Sequence, residues 1–176
     1  MFSHKAGIFF DRDGTLIEDC NYLSDPAKVC LLPGVKTTLK QLKKRPCLFF
    51  LFTNQSGIGR GFFTYEVVER CHQRMLELLE ETSDFFTQIC IAPGTPDSPD
   101  PYRKPSPKFI LECLAKYQLN PDKCWMIGDK PSDIQAGVNA HIHTLFLGKT
   151  KTSCEATAYC ENFYEVLDVL KTSIQG

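Results

Sequence analysis

The sequence predicts an α/β fold: a doubly wound, Rossmann-like parallel sheet covered by helices on both faces. Two observations lead to this prediction. Five short apolar runs alternate with stretches of helical spacing along the chain, which is the pattern of a wound parallel sheet. The runs are also nearly continuous in apolar residues, as in strands that are buried on both faces. At 176 residues, we expect a single domain over residues 1–176.

The predicted elements follow one another in a regular order. The strands are residues 6–10, 47–52, 86–92, 124–127 and 143–147. The helices are residues 35–44, 65–81, 106–117, 132–140 and about 161–171. Residues 93–107 contain six prolines, so this stretch is predicted to be a stiff loop. Because ligands of such sheets bind beyond the carboxyl ends of the strands, these ends are where a site is expected.

Composition and charge exclude several classes of protein. The formal net charge of -1 lacks the basic surplus of a nucleic-acid-binding surface, so no nucleic-acid partner is expected. No apolar run is long enough to span a membrane, and the amino-terminal residues lead directly into the first predicted strand. We therefore expect no signal peptide, no membrane association and a cytoplasmic location. The nine cysteines form no C-x-x-C pair, and we expect free thiols.

Two carboxylates, Asp11 and Asp13, stand at the end of the first predicted strand. Their spacing of two directs both side chains the same way while the chain is extended, and Gly14 then allows a turn. Because close carboxylates repel each other, the pair favours a bound cation or one protonated partner. The alternative is that Asp13 and Gly14 form only a turn.

The second predicted strand is followed by a hydroxyl and an amide, Thr53 and Asn54, and then by a loop with three glycines at 55–61. The backbone N–H groups of such a loop can bind anionic oxygens. Many glycine-rich loops, however, are only turns.

Arg103 and Lys104 directly precede the third predicted helix, where Ser106 suits the N-cap and Pro107 the first helical position. Two cations before a helix N-terminus oppose the helix dipole unless an anion lies between them. A solvated pair of cations is the alternative.

Asp129 follows the fourth predicted strand, and Asp133 lies early in the next helix. Asp133 could be only a favourable charge at a helix N-terminus, whereas Asp129 beside Asp11 would require a counter-ion. Three carboxylates, one hydroxyl and one ammonium together predict a site for magnesium and phosphate.

These motifs resemble the haloacid dehalogenase superfamily of phosphatases. The resemblance rests on DRDGT at 11–15, the Thr53-Asn54 pair, Lys104, and the two aspartates within 128–133. Within the superfamily, Tyr22, the segment 54–61 and RKP at 103–105 resemble the D-glycero-D-manno-heptose 1,7-bisphosphate phosphatases, which act in ADP-heptose and lipopolysaccharide core synthesis. Histidinol-phosphate phosphatases share much of this pattern, but the segment 19–23 favours the heptose enzymes. Histidinol phosphate or another small phosphorylated metabolite is the alternative substrate.

The resemblance implies a reaction through an aspartyl-phosphate. Asp11, ionised at an ordinary pKa of about 3.9, attacks phosphorus. Asp13 protonates the leaving oxygen and later takes a proton from the attacking water, so it must hold a proton before the first step. Magnesium is held by Asp11, the backbone carbonyl of Asp13, and Asp129.

The resemblance also implies how the substrate is held. Thr53 and Lys104 hold the transferring oxygens, and Asp133 orients Lys104. The expected partner is a small phosphorylated metabolite, with a sugar bisphosphate as the first choice. The protein is expected to be a monomer and to lack a large cap domain. The expected substrate-binding residues are Asp19, Asn21, Tyr22, Asn54, Gln55, Ser56, Arg60, Arg103 and Lys130.

One departure concerns the zinc that these relatives hold in the loop before RKP. This chain keeps Cys90 alone, has no histidine in the loop, and has Tyr102 where a cysteine is expected. One thiolate cannot complete a tetrahedral site, so no zinc is expected. We expect the prolines to stiffen the loop instead.

Two other functional classes share parts of the pattern. A phospho-acceptor module could place an aspartate and magnesium on such a sheet, but it would not need Asp13. A polynucleotide end phosphatase shares the DxDGT start, but the net charge disfavours it.

His141 and His143, expected on alternate positions of the last strand, could suggest a metal pair. Without a third ligand nearby, we expect ordinary histidines.

Overall fold

The computed structural model describes residues 5–149, 155–171 and 174. Its strands are β1 (Ala6–Phe10), β2 (Cys47–Asn54), β3 (Gln88–Ala92), β4 (Trp125–Gly128), β5 (His143–Leu147) and β6 (Ala158–Cys160). Its α-helices are α1 (Val35–Leu42), α2 (Ser56–Gly59), α3 (Tyr65–Leu79), α4 (Lys108–Tyr117), α5 (Pro131–Asn139) and α6 (Phe163–Leu170). Among the described residues, no helix combines the length and apolarity that a membrane crossing requires.

The six strands form one parallel sheet in the order β3-β2-β1-β4-β5-β6. The predicted α/β class with a wound parallel sheet is confirmed. The first strand, β1, lies in the middle of the sheet. β2 and β3 extend the sheet on one side of β1, and β4, β5 and β6 extend it on the other side. This reversal makes β1 the switch point of the sheet, with the carboxyl ends of β2 and β4 on either side of it.

Apolar side chains pack on both faces of the sheet. Because successive strand residues point to opposite faces, Ile8 and Phe10 join the core under α1, α3 and α6. Phe9 joins the other core, where its ring stacks on Phe50 at a centroid distance of 4.6 Å and meets Phe109 of α4 edge-on. The two cores explain the nearly continuous apolar strands and hold the strand ends in fixed positions.

The structure corrects several predicted boundaries. β2 is two residues longer and includes Thr53 and Asn54, β3 begins at Gln88, and β4 runs from 125 to 128. The glycine-rich segment contains the short helix α2, and β6 was not predicted. Ser106 is not the N-cap of α4: Pro107 occupies that position, and the Ser106 hydroxyl donates to the carbonyl of Pro101 at 2.7 Å.

The structure describes eight of the cysteines and the two histidines near β5. The eight described cysteines are free thiols, and Cys154 lies outside the described residues. His143 stacks on Trp125, and His141 precedes β5 rather than lying in it, so the expected alternation within the strand is wrong. Neither histidine belongs to a cluster of three potential metal ligands in the described part of the chain.

Candidate active site

Asp11 directly follows β1 and is almost fully buried at the switch point, with 5% of its surface exposed. Its backbone N–H donates to the carbonyl of Ile127 at 2.9 Å, which continues the pairing of β1 with β4. Its Oδ1 accepts a hydrogen bond of 2.6 Å from the ammonium nitrogen of Lys104. The strand end therefore presents the carboxylate to a cation that comes from a distant loop.

The Lys104 ammonium is buried among oxygen acceptors. Besides Asp11, its Nζ lies 2.7 Å from Asp133 Oδ1 and donates to the carbonyl of Phe52 at 2.7 Å. These three acceptors match the three N–H groups of an ammonium. A charge removed from water needs such partners, so the site holds Lys104 as a fully satisfied cation.

The side chain of Asn54 fixes the backbone of Lys104. Its Nδ2 donates to the Lys104 carbonyl at 3.1 Å, and its Oδ1 accepts from the Lys104 N–H at 2.9 Å. The two bonds reproduce the pairing that another strand would provide. Asn54 thus brings the loop to the sheet, in addition to lining the cavity described below.

Three carboxylates, those of Asp11, Asp129 and Asp133, have oxygens within 4.8 Å of one another. The Oδ2 of Asp133 accepts from the Lys130 N–H at 2.9 Å while its Oδ1 contacts Lys104. Both Asp133 oxygens are therefore engaged, which is the position expected of a residue that orients Lys104. Asp11 and Asp129 have more capacity left for a metal ion.

Two glycines allow these carboxylates to approach so closely. Gly14 has φ of +86°, and a Cβ there would lie 2.3 Å from Asp129 Oδ2. A Cβ on Gly128 would lie 2.3 Å from the Cβ of Asp133. Any other residue at either position would push an aspartate out of the cluster.

The crowding of charge shifts the pKa values of the cluster. Burial, with added repulsion from neighbouring aspartates, raises the pKa of Asp11 to about 8 in spite of Lys104. Burial likewise raises the pKa of Asp129 to about 6. Burial alone would lower the pKa of Lys104, but Asp11 and Asp133 raise it. The ordinary pKa of an aspartate therefore does not describe Asp11 in the metal-free site, and a bound cation would favour its ionised form.

The carboxylate of Asp13 does not belong to the cluster of three. It accepts hydrogen bonds from the guanidinium of Arg12 and, at 2.8 Å, from Gln55 Nε2. Gln55 Nε2 also donates to Thr53 Oγ1 at 2.8 Å. No hydrogen bond between described residues ends on the backbone carbonyl of Asp13, so its lone pairs are free of protein donors there; that this oxygen holds a metal stays a prediction.

A cavity of about 210 Å³ opens beside Asp13. Polar side chains dominate its lining, and Lys130 Nζ pairs with Asp19 Oδ2 at 2.9 Å across it. Seven of the nine expected substrate-binding residues line this cavity: Asp19, Asn21, Tyr22, Asn54, Gln55, Ser56 and Lys130.

The other two expected substrate-binding residues, Arg60 and Arg103, do not line the cavity. Arg60 is exposed. Arg103 turns toward its own loop and donates to the carbonyl of Gly94 at 2.7 Å. The structure thus places Arg103 as a contact within the loop.

The sequence did not single out two further residues near the site. Arg12 is fully buried behind Asp13, and strand alternation could have placed it on the face opposite Asp11. Phe62 is exposed and meets Tyr22 edge-on at a centroid distance of 4.9 Å. No local pattern pointed to Phe62, because its position depends on the path of the loop after α2.

Comparisons with known proteins agree with this geometry. The family model of haloacid dehalogenase-like hydrolases matches residues 18–141. A D-glycero-beta-D-manno-heptose-1,7-bisphosphate 7-phosphatase of Helicobacter pylori is 32% identical over 174 residues, which cover 97% of this chain and 100% of the relative. The bifunctional histidine biosynthesis protein HisB of Legionella pneumophila is 33% identical over 84% of this chain, but only 43% of that protein is covered.

A solved structure shows a similar fold over nearly the whole chain. The D,D-heptose 1,7-bisphosphate phosphatase of B. bronchiseptica, complexed with magnesium and phosphate, superposes with a TM-score of 0.82. The two chains are 25% identical, and the match covers 94% of this chain and 98% of that one.

Proposed function

We propose that this chain, which belongs to the haloacid dehalogenase-like hydrolase family, removes the 7-phosphate of D-glycero-D-manno-heptose 1,7-bisphosphate with the help of magnesium. That it is a phosphatase follows from the family and from relatives that match its full length. The proposed substrate would place it in the cytoplasm, in the synthesis of ADP-heptose for the lipopolysaccharide core. The observation that carries the proposal is the polar cavity beside Asp13, next to the buried pair of Asp11 and Lys104.

The proposed reaction uses the two aspartates in turn. Asp11 attacks phosphorus in line, the bond to the sugar oxygen breaks, and that oxygen takes a proton from Asp13. Asp13 then takes a proton from the water that hydrolyses the aspartyl-phosphate, which restores both carboxyl groups. Since Asp13 lines the cavity and Asp11 is two residues away in the chain, the sugar would occupy the cavity as the leaving group.

Lys104 and Thr53 would bind the phosphoryl oxygens. All three N–H groups of Lys104 already have acceptors, so an arriving phosphoryl oxygen would have to replace one of them. Asp133 keeps the ammonium in place during this exchange, because its other oxygen is held by the Lys130 N–H. Preorganised donors of this kind stabilise the charge of the transition state.

The donor set fits a magnesium ion. Two buried carboxylates, Asp11 and Asp133, share the Lys104 ammonium, and the partly buried Asp129 adds a third carboxylate to the cluster. Carboxylate and carbonyl oxygens are the hard ligands that this ion prefers. Asp11, Asp129 and the carbonyl of Asp13 would hold the ion. When bound, magnesium would offset the repulsion between the nucleophile and the phosphate.

The cavity supports a substrate rich in hydroxyl groups. Its lining offers donors and acceptors on carboxylate, amide, hydroxyl and ammonium groups, here Asp19, Asn21, Ser56 and Lys130. Such groups form hydrogen bonds with sugar hydroxyls. The names of the relatives from H. pylori and B. bronchiseptica support a heptose bisphosphate among such sugars.

Histidinol phosphate is the second candidate substrate. It is supported by the likeness to the histidine biosynthesis protein of L. pneumophila, although this chain covers only part of that two-function protein. The carboxylate of Asp19 could accept a hydrogen bond from the amino group of such a substrate, but Lys130 already pairs with this carboxylate. Because the charge of Asp19 is thus already paired, the site favours the uncharged hydroxyl groups of a sugar.

The test is phosphate release from heptose 1,7-bisphosphate, heptose 1-phosphate and histidinol phosphate, each with magnesium and with a chelator. We expect the bisphosphate to be preferred, to lose only its 7-phosphate, and to be inert in the chelator. Asp11→Asn should abolish turnover without changing the fold. A preference for histidinol phosphate would establish the second candidate, and full activity in Asp11→Asn would refute the mechanism.

A further inference from the structure

Arg12 is a charged residue buried inside the protein, with 0% of its surface exposed. It stands between Asp11 and Asp13, and because successive residues of an extended segment face opposite sides, its side chain enters the layer that contains α3. Ile8 and Phe10, which precede Arg12 at intervals of two, pack in that layer with residues of α3, so the guanidinium lies on the same face of the sheet. Burial and, after it, the charge of Arg12 lower the pKa of His72 on α3 to about 3.

The guanidinium has one carboxylate partner among the described residues, Asp13. Its Nε donates to Asp13 Oδ2 and its Nη2 to Asp13 Oδ1, both at 3.0 Å. The remaining nitrogen, Nη1, is buried without a hydrogen-bond partner in the part of the chain that the structure describes. The pair has the two-pronged geometry that a guanidinium forms with a carboxylate.

The space behind the site does not by itself require a cation. Removing an ion from water is costly, and an apolar side chain of similar volume would fill the space without that cost. An apolar side chain could not hold both oxygens of Asp13 in one orientation. We therefore propose that Arg12 is a positioning residue, which fixes the carboxyl group of Asp13 for its proton transfers.

The surrounding contacts hold this arrangement rigid. Gln55 Nε2 adds a third hydrogen bond to Asp13, on Oδ2. The carbonyl of Arg12 accepts from the backbone N–H groups of residues 15, 16 and 17 at 2.9–3.3 Å, which anchors the turn after Gly14. The carboxyl group of Asp13 is thus held on one side by Arg12 and Gln55, while Asp13 borders the cavity.

A fixed orientation matters because an acid must lie within hydrogen-bond reach of the oxygen that it protonates. A poor leaving group, such as an alkoxide, needs that proton, whereas a nitrophenolate leaves without it. The inference rests on the acid–base role proposed for Asp13, but not on which sugar is the substrate.

The test is the dependence of kcat/KM on the pKa of the leaving group, measured over a series of aryl phosphates with magnesium. In Arg12→Met we expect kcat for the poorest leaving group to fall at least about tenfold, within the range of general acid catalysis. KM should stay within about twofold, and kcat for p-nitrophenyl phosphate should fall no more than about threefold. The dependence on the leaving group therefore steepens, which a general loss of folded enzyme would not produce.

Arg12→Lys provides the second variant, should Arg12→Met fail to give the circular dichroism spectrum of the folded protein. An ammonium keeps the charge but cannot bind both oxygens as a fork, so a smaller steepening is expected. Equal losses on all esters, or an unchanged dependence in the folded variants, would overturn the inference. Asp13→Asn is measured beside them: if it leaves the dependence unchanged, the role of Asp13 fails and the inference with it. If Asp13→Asn alone steepens the dependence, only the inference about Arg12 fails.

Discussion

Lys104 Nζ lies 2.6 Å from Asp11 Oδ1, although the two residues are 93 positions apart in the chain. Lys104 lies in the loop before α4, and Asp11 lies at the end of β1. Their contact therefore holds the loop against the edge of the sheet at the candidate site. A second carboxylate, Asp133, lies 2.7 Å from the same nitrogen. The ammonium of Lys104 thus pairs with two buried carboxyl groups. Both the stability and the activity of the protein should therefore depend on Lys104.

Lys104→Met is expected to destabilise the metal-free protein and to remove activity. The substitution leaves Asp11 and Asp133 buried without their cation, and breaking a buried pair costs about 3–5 kcal/mol. The loss should be largest near pH 8 and smaller near pH 5, where the carboxylates can be protonated. Urea denaturation at both pH values measures it. Lys171→Met, which breaks an exposed pair with Asp168, is the control and should leave the midpoint unchanged.

The contribution of Asp11 to the stability of the metal-free protein should fall as the pH rises from about 4 to about 8. Burial raises the pKa of Asp11 in the folded protein from 3.8 to about 8, so the folded state keeps a proton that the unfolded chain releases. Stability from this group is present below about pH 4 and is lost as the pH rises through about 8. Magnesium binds the ionised form, so it should raise the melting temperature more at high pH than at low pH.

Asp11→Asn isolates this contribution. The amide does not titrate, so the melting temperature of the variant in a chelator should depend less on pH, and near pH 8 it should exceed that of the wild type. Thermal denaturation with and without magnesium measures both effects. The same pH dependence of the melting temperature in the wild type and in Asp11→Asn, both in the chelator, would show that Asp11 is not perturbed in this way.

Most of the sheet could be predicted because its strands are covered on both faces. Ile8, Phe9 and Phe10 are each 0% exposed, and a run of this kind is apolar whichever face a residue points to. β6 could not be predicted, because it is an edge strand of three residues in which only Cys160 is buried. Its pairing with β5 comes from the tertiary fold and leaves no pattern in the sequence.

The site could be predicted where regular strands determine direction, but not where loops do. The strand ends that carry Asp11, Thr53 and Asp129 meet because parallel neighbours end at the same edge. The direction of a loop side chain depends instead on the local backbone path. Arg103 was expected in the substrate site, yet its guanidinium turns back to the carbonyl of Gly94. The burial of Arg12 follows from alternation, but its pairing with the adjacent Asp13 depends on the turn at Gly14.

Asp100→Ala is expected to loosen the loop that carries Lys104. The carboxylate of Asp100 accepts from the N–H groups of Gly94 and Tyr102 at 2.6 and 2.8 Å, so it ties the two ends of the loop together. Hydrogen bonds to a charged group contribute about 1.5–3 kcal/mol each, and the free energy of unfolding should fall by an amount of this order. The value of kcat should fall with it, because Lys104 loses part of its support.

The control for this variant is Asp97→Ala, an exposed position in the same loop, which should leave stability and kcat unchanged. Elemental analysis of the wild type tests the accompanying prediction that the loop binds no zinc. One zinc per chain would mean that a metal, and not Asp100 with the prolines, holds the loop.

Phe62→Ala is expected to weaken substrate binding without slowing the chemical step. Phe62 and Tyr22 come from two separate loops, are 61% and 47% exposed, and meet edge-on. Tyr22 lines the cavity, and Phe62 packs against it. An aromatic wall can pack against the C–H groups of a sugar and also keeps Tyr22 in place. We therefore expect KM for a sugar bisphosphate to rise about threefold to tenfold, the loss of roughly 0.5–1.5 kcal/mol of aromatic contact. The value of kcat should be retained, because the phosphate contacts at Asp11 and Lys104 are untouched.

Leu111→Ala, an exposed apolar position outside the cavity lining, should change neither constant. A fall in kcat at unchanged KM in Phe62→Ala would instead place the aromatic pair in the chemical step.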